Sequence, residues 1–158
     1  MGPITGTPRI GIVTLVALAA FVVSGCAAEG DESAVAGGAA IDVQLQEWAV
    51  VVSEDSASAG EITFTITNDG PEDVHEFVVV ATDLDAGDLP TDETGAVTEE
   101  GEGMEVVDEV EDIPIGETEE LVVSLGAGHY VLICNIYSED EDEAHYAMGM
   151  RTNFTVDE

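Results

Sequence analysis

The sequence contains no lysine. Its 158 residues include two basic side chains, Arg9 and Arg151, against 35 acidic ones, and the formal net charge at pH 7 is −33. A surface of this sign repels phosphate groups, which makes nucleic acid and anionic lipid surfaces poor partners, and no nucleic-acid partner is expected. Like charges also oppose compaction, and salt screens them over about 8 Å at physiological strength and about 3 Å at 1 M. The balance therefore predicts a halophile-like acidic protein, whose acids keep it hydrated and soluble at high salt.

Long apolar runs are absent outside the N-terminal region. Residues 1–25 contain one basic residue, Arg9, then the apolar run Ile10–Val23 and small residues, which is the layout of an export signal. The stretch VSGC, ending at Cys26, resembles the lipobox of bacterial and archaeal lipoproteins, in which the cysteine is lipidated and becomes the mature N-terminus. This resemblance implies a chain anchored to the outer face of the cell membrane through Cys26. The alternative is an uncleaved membrane helix over Ile10–Ala28.

The rest of the chain is long enough for one domain with its own core. Residues 26–40 are small, flexible and acidic, which is typical of a linker, so we expect the folded domain at 41–158. The sequence shows neither an internal repeat nor the pattern of a long amphipathic helix, which argues against α-rich folds.

Alternation of apolar and polar residues, with turn residues every eight to twelve positions, predicts an antiparallel β-sandwich or barrel. The clearest case is 61–68, where Ile62, Phe64 and Ile66 point one way and threonines the other. The segment 82–103, rich in glycine and acids, is expected to be a long connection with room for a short helix. Seven strands are predicted, at 41–52 with a bulge or bend near Gln46–Glu47, 61–68, 75–81, 104–110, 118–125, 130–135 and 152–156.

Cysteine is scarce as well, since Cys26 belongs to the signal and Cys134 is left alone. A lone thiol in an exported protein is buried and inert, a dimer bridge, a nucleophile or a metal ligand. Cys134 ends the stretch YVLIC. All of its residues are apolar or aromatic, as expected for a strand buried on both faces. His145 and Met150 follow, and His75 lies upstream. One thiolate, two imidazoles and one thioether are the donors of a type 1 copper site, in which His₂Cys forms a trigonal plane with a weak axial methionine.

Three segments resemble the cupredoxins, the small blue copper proteins typified by plastocyanin. They are AGEITFTITNDGPEDVHEFVVV (59–80), YVLICN (130–135) and HYAMGM (145–150). The sequence is most similar to the sulfocyanin-like and plastocyanin-like group, whose C-terminal loop reads C-N-x-P-G-H-Y-x-x-G-M. The resemblance covers 41–158 and implies a Greek-key β-sandwich of seven to eight strands that holds one type 1 copper ion.

Carried over residue by residue, the resemblance assigns four copper ligands. His75 matches the first histidine, Cys134 the thiolate, His145 the second histidine, and Met150 the axial methionine that follows Gly149. The implied function is that of a monomeric carrier of single electrons and not of an enzyme. Its partners would be redox proteins such as a cytochrome or a terminal oxidase domain.

The sequence departs from the family pattern at two places. Ten residues, Asn135–Ala144, separate Cys134 from His145 where the usual loop has four, and an acidic insertion replaces Pro-Gly. A longer loop costs only about 0.6 kcal/mol per doubling of its length, so the insertion permits the site. An acid, Glu76, also follows His75 directly, and strand alternation should turn it away from the metal.

Other residues compete for these roles. Met148 is the alternative to Met150 as axial ligand, although Met150 has the family's spacing. His129 has the opposite strand parity to Cys134, which favours a structural or exposed histidine. The acids of Ser138–Glu143 suggest calcium, but they lack the glycine and distal glutamate of an EF-hand loop, so a solvated loop is the better interpretation.

Two other functions remain open at this point. One is a copper-binding carrier or storage module without an electron-transfer role, and the other is an enzyme with Cys134 as nucleophile and His145 as base. Trp48 is assigned to the core. An apolar docking patch beside His145 is expected from Ala144, Tyr146, Ala147 and Met148.

Overall fold

The computed structural model describes Gly2 and residues 38–158. The predicted signal at 1–25, the predicted lipidation at Cys26 and most of the linker lie outside the described residues. The first strand begins at Ala39, two residues before the expected start of the domain. No helix within the described part of the chain is long and apolar enough to cross a membrane.

Short strands account for most of the described residues, and the only helix among them is a single turn. Their bounds are β1 Ala39–Gln46, β2 Ala49–Val52, β3 Ser56–Ser58, β4 Gly60–Asn68, β5 His75–Thr82, β6 Met104–Ile113, β7 Thr118–Leu125, β8 Gly128–Ile133, β9 Tyr137–Ser138, β10 Glu143–Ala144, α1 His145–Met148 and β11 Arg151–Asp157.

The strands form two packed sheets and a small ribbon. One sheet has the order β2-β1-β4-β7, the other has the order β3-β11-β8-β5-β6, and β9 pairs with β10 alone. The chain crosses from one sheet to the other after β2, β3, β4, β6 and β7, and such crossings are typical of Greek-key sandwiches. The predicted β-sandwich is therefore confirmed. The strand count is higher than expected because β2, β3 and the ribbon are short additional strands.

Period-two alternation builds the core between the sheets. Ile62, Phe64 and Ile66 of β4 are fully buried there, as the sequence predicted. Phe64 packs against Phe77 of β5 and Phe154 of β11, with ring centroids 5.2 and 5.6 Å apart. Full burial of each such side chain contributes about 1.5–3 kcal/mol, so these contacts hold the two sheets together.

The predicted bulge or bend near Gln46–Glu47 is a tight turn. Strands β1 and β2 pair antiparallel, with Gln46 opposite Ala49, so that Glu47 and Trp48 form the turn itself. Odd and even positions of one strand point to opposite faces. Because the chain reverses at this turn, Leu45 and Val50 are both buried although one position is odd and the other even.

The second sheet is covered on its outer face as well. The connection after β5 folds over it in a series of turns, without the short helix that the sequence allowed. This cover explains why β5 and β8 each contain an unbroken run of apolar or aromatic residues, 77–81 and 130–133. The outer-face cluster consists of Val78, Val80, Ala86, Leu89, Val97, Val131, Ile133 and Tyr146.

Candidate metal centre

The pairing within the second sheet brings the sulfur and imidazole donors to one end of the sandwich. Strands β5 and β8 are antiparallel, so His75 at the start of β5 lies beside Cys134, which follows the end of β8. Strands β8 and β11 are antiparallel too, which places Met150, just before β11, in the same region. The backbone N–H of Cys134 donates to the carbonyl oxygen of Met150 at 3.1 Å. Long-range strand pairing thus positions three of the four predicted ligands.

Three donor atoms form a small triangle. The Sγ atom of Cys134 lies 3.3 Å from Nδ1 of His145 and 3.9 Å from Nδ1 of His75, and the two Nδ1 atoms are 3.2 Å apart. Ligands in a trigonal plane around a first-row metal ion, at the bond lengths usual for imidazole and thiolate, are roughly 3.6 Å apart. All three side chains are buried. The triangle therefore fits a single transition-metal ion.

The acidic insertion folds as a hairpin. Residues 137–138 pair with 143–144 in the ribbon of β9 and β10, and the hydroxyl of Tyr137 donates to Asp142 at 2.6 Å. At its base the backbone N–H of His145 donates to the carbonyl oxygen of Ile136 at 2.9 Å. The extra residues therefore extend away from a closed base, and His145 reaches the triangle despite the insertion. Within 38–158, His75, Cys134 and His145 are the one group of three or more His, Cys, Asp or Glu side chains arranged to hold a metal.

The electrostatics of the triangle favour neutral imidazoles. Burial lowers the pKa of both His75 and His145, and in His75 the neighbouring His145 lowers it further. Both rings are therefore neutral near pH 7, as metal ligands must be.

The thiol is protonated in the absence of a metal. Burial raises the pKa of Cys134 to about 12, against a weaker opposing effect of the backbone N–H of Glu76, which donates to Sγ at 3.4 Å. A thiolate forms here only when a bound cation replaces the proton. Nucleophilic cysteines have lowered pKa values and accessible sulfur, so this geometry disfavours an enzyme that uses Cys134 as nucleophile.

Several solved structures share this architecture. Auracyanin from the photosynthetic bacterium Roseiflexus castenholzii is 20% identical with a TM-score of 0.52, and auracyanin A, a "blue" copper protein from Chloroflexus aurantiacus, is 19% identical with a TM-score of 0.51. An azurin from Methylomonas sp. strain J is 20% identical with a TM-score of 0.50. Each alignment covers 77% of this chain and 100% of the other protein. No protein-family model and no curated protein sequence matches the chain.

The chain has the cupredoxin fold.

Within this cupredoxin fold, Asn68 explains why the turn before His75 reads N-D-G. Its buried side-chain amide donates to the carbonyl oxygens of Asp73 and Ile113, both at 2.9 Å, and its Oδ1 accepts the N–H of Gly70 at 2.9 Å. One side chain thus satisfies three backbone groups and fixes the loop that leads into the first histidine.

The turn of Glu47 and Trp48 is a part of the centre that sequence reasoning missed. The Oε1 atom of Glu47 lies 3.6 Å from Nε2 of His75. The ring of Trp48, which is half-buried against the core, meets the ring of His145 edge-on with centroids 5.2 Å apart. The only signal in the sequence was the predicted bulge or bend near Gln46–Glu47, and it did not indicate a contact with the histidines.

Met150 and Met148 differ sharply in environment. Met150 is fully buried in the core cluster that also contains Cys134, and its N–H donates to the carbonyl oxygen of His145 at 3.0 Å. Met148 is 44% exposed. This contrast favours Met150 over Met148, and the assignment of the axial ligand stays a prediction.

Leucine substitutions test that choice. Met150→Leu should shift the visible and electron paramagnetic resonance spectra of the copper-loaded protein, because the axial sulfur is lost while the volume is nearly kept. Met148→Leu, the matched control, should leave both spectra unchanged. A shift for Met148→Leu and none for Met150→Leu would reverse the assignment.

Glu76 turns away from the triangle, as strand alternation predicted. Its Oε1 accepts the backbone N–H of Asn135 at 2.8 Å. Burial raises the pKa of Glu76 to about 7, and the charges of Glu109, Glu99 and Glu111 add to the rise, while the Asn135 N–H opposes it. A folded-state pKa above the unfolded value means stability that is full below about pH 4.5 and is lost as the pH rises through about 7.

Glu76→Gln should therefore stabilise the metal-free protein at high pH. The amide keeps an acceptor for Asn135 without the charge, so we expect a gain of about 1–3 kcal/mol at pH 8 and little change at pH 4.5. Urea unfolding of the variant and the parent protein at both pH values, in the same salt, measures the difference, and the histidine contributions cancel between them. An equal effect at both pH values would contradict the assigned cause.

The remaining competitors lie away from the triangle. Nδ1 of His129 is 2.8 Å from the carbonyl oxygen of Thr82, which is a structural contact.

Tyr146, expected in the docking patch, is buried, and its hydroxyl donates to the carbonyl oxygen of Ala86 at 2.7 Å. Ala144 is buried too, so Ala147 and Met148 are the exposed members of that patch.

Proposed function

We propose that this protein binds one type 1 copper ion through His75, Cys134, His145 and Met150 and carries single electrons between redox partners. The observation that carries the proposal is the buried triangle of one sulfur and two Nδ1 atoms. Soft thiolate sulfur suits Cu(I), and imidazole nitrogen also binds copper well. The bound ion supplies the one-electron couple, and every other requirement falls on the protein.

The protein's part is to hold the donors and exclude water. The donors lie on or beside paired strands, and backbone hydrogen bonds join Cys134, Met150 and His145 to one another. Such a frame limits rearrangement when the oxidation state changes, which favours fast electron transfer. A carrier that hands copper on is expected to have more open donors, so burial of the triangle favours an electron carrier over a storage module.

The route for electrons is proposed to be the ring of His145. It lines a shallow surface depression together with the exposed Val74, the half-buried Ile136, and Asp73 and Asp112. This apolar surface with acidic neighbours suits a redox protein with a positively charged face, such as a cytochrome or a terminal oxidase domain. Electrostatic steering weakens with ionic strength. An association rate that stays constant as salt is raised from low levels would contradict this partner.

The proposal places the domain at the outer face of the cell membrane, held there by a lipid on Cys26, and it rests on the VSGC stretch. Cys26→Ala should move the protein from the membrane fraction to the soluble fraction. A variant that stays in the membrane fraction would instead support the uncleaved helix.

Copper titration tests the proposed function. Adding Cu(II) to the full-length protein in molar salt should develop an intense blue thiolate-to-copper band that saturates at one ion per chain. No band, or saturation at two ions or more, would overturn the proposal.

A further inference from the structure

A second carboxylate is built into the centre behind the first histidine. Glu47 lies in the turn between β1 and β2, and its side chain is only 11% exposed. Its Oε1 accepts the backbone N–H groups of Glu72 and Asp73 at 3.2 and 3.0 Å. A Cβ atom at Gly70 would collide with the same carboxylate. The loop that leads into His75 is therefore wrapped around this one carboxylate.

Two buried polar atoms of Glu47 and His75 are left unpaired among the described residues. Nε2 of His75 and Oε2 of Glu47 are both buried and make no hydrogen bond within the described residues. Oε1 of Glu47 lies 3.6 Å from Nε2, and a small rotation of either side chain brings a carboxylate oxygen within the 2.7–3.2 Å of an N–H···O bond. The other nitrogen of the ring, Nδ1, faces Cys134 and His145. The two nitrogens of His75 therefore have distinct environments, one among donors and one beside an anion.

The two backbone N–H groups that donate to Oε1 stabilise the charged form of the Glu47 carboxylate. Its charge is shielded from water on most sides, so its field at the triangle is stronger than that of an exposed acid.

We infer that Glu47 is a positioning residue for the copper centre, which holds His75 with its proton on Nε2 and its Nδ1 toward the metal, and whose charge lowers the reduction potential. Ligand histidines commonly donate their second N–H to a carboxylate, which fixes the tautomer and raises the basicity of the ligand nitrogen. The oxidised site carries one more positive charge than the reduced site, so a nearby anion stabilises the oxidised form more. This inference rests on the proposed copper function.

The test compares Glu47→Gln with Glu72→Gln in the full-length protein. Both variants lose one negative charge near the same loop. They differ because Glu72 is exposed and its side chain makes no hydrogen bond within the described residues. We expect Glu47→Gln to lower the ratio of Cu(II) to Cu(I) affinity about tenfold, which raises the potential by about 59 mV. Glu72→Gln should shift the potential by much less. Equal shifts, or a lower potential for Glu47→Gln, would overturn the inference.

The outcomes separate the inference from the proposed function. If the parent protein forms no blue copper site, the proposed function fails and the inference fails with it. If the parent forms the site and Glu47→Gln leaves the potential unchanged, only the inference fails.

A measurement on the parent protein covers the case in which Glu47→Gln does not fold. Nitrogen-15 NMR of the diamagnetic Cu(I) form should show His75 protonated at Nε2, with a slowly exchanging proton. A His75 ring that carries its proton on Nδ1, or whose Nε2 proton exchanges as fast as that of an exposed histidine, would overturn the inference.

Discussion

Cys134→Ser is expected to abolish the intense visible absorption of the copper-loaded protein. That band requires charge transfer from a thiolate sulfur to Cu(II), and a serine hydroxyl offers neither soft sulfur nor an accessible anion. Cys134 is fully buried, so the new hydroxyl also loses solvation, at a cost of about 1–3 kcal/mol. Absorption and electron paramagnetic resonance spectra after addition of one equivalent of Cu(II) measure the effect.

The chain supplies its own control. Cys26 is the only other cysteine, and it directly follows the predicted signal at 1–25. Cys26→Ser in the same full-length protein should keep the complete band, because the proposed ligands are untouched. If Cys134→Ser retained the band, or Cys26→Ser lost it, the thiolate would have to be assigned elsewhere.

Salt is expected to have the largest effect on stability. Of the 35 acids, Glu29, Asp31 and Glu32 precede residue 38, and the other 32 belong to the described domain, where Arg151 is the one Lys or Arg. Within the described residues the only contact of salt-bridge length joins His75 to Glu47. Repulsion is therefore largely uncompensated, and it is already visible on β6, where burial and then the charges of Glu99, Glu111 and Asp108 raise the pKa of Glu109.

We expect the midpoint of thermal unfolding to rise by about 10 °C or more between dilute buffer and molar NaCl, since each kcal/mol of relieved repulsion is worth about 4 °C in a domain of this size. Differential scanning calorimetry at fixed pH measures the shift. KCl at the same ionic strength should act like NaCl, because the effect is screening. The same melting temperature in dilute buffer and in molar salt would contradict the halophile-like interpretation.

A variant tests whether the repulsion is located where the structure indicates. Replacing Glu105, Glu109 and Glu111 of the edge strand β6 with glutamine should reduce the dependence of the melting temperature on salt. Replacing Glu139, Asp140 and Glu141, three exposed acids at the tip of the hairpin, removes the same number of charges and should reduce it less. Equal reductions would mean that the net charge matters and its position does not.

Most of the fold could be predicted from the sequence, because the alternation of apolar and polar residues is a local signal. Ile62, Phe64 and Ile66 show one strand face directly, and YVLIC shows a strand buried on both faces. What covers that second face was not predictable, because the connection after β5 uses separate residues such as Ala86, Leu89 and Val97, which have no period.

The candidate metal centre was likewise predictable only in part. His75, Cys134, His145 and Met150 were chosen by donor chemistry and by resemblance, and the structure brings the first three within 3.9 Å of one another. Glu47, which lies beside His75, is brought there only by tertiary contacts. Glu47 reaches His75 across 28 positions of chain only because β1 and β4 pair in parallel, with Leu45 opposite Asn68. A polar residue in a predicted bend gave no sign of that role.

Reversible one-electron cycling of the copper-loaded protein tests the central claim most directly. In a spectroelectrochemical titration of the full-length protein in molar salt, the blue band should bleach on reduction and return fully on reoxidation, with a slope of about 59 mV per decade for one electron. A band that fails to return, or copper released on reduction, would contradict an electron carrier and favour a protein that delivers or stores the metal.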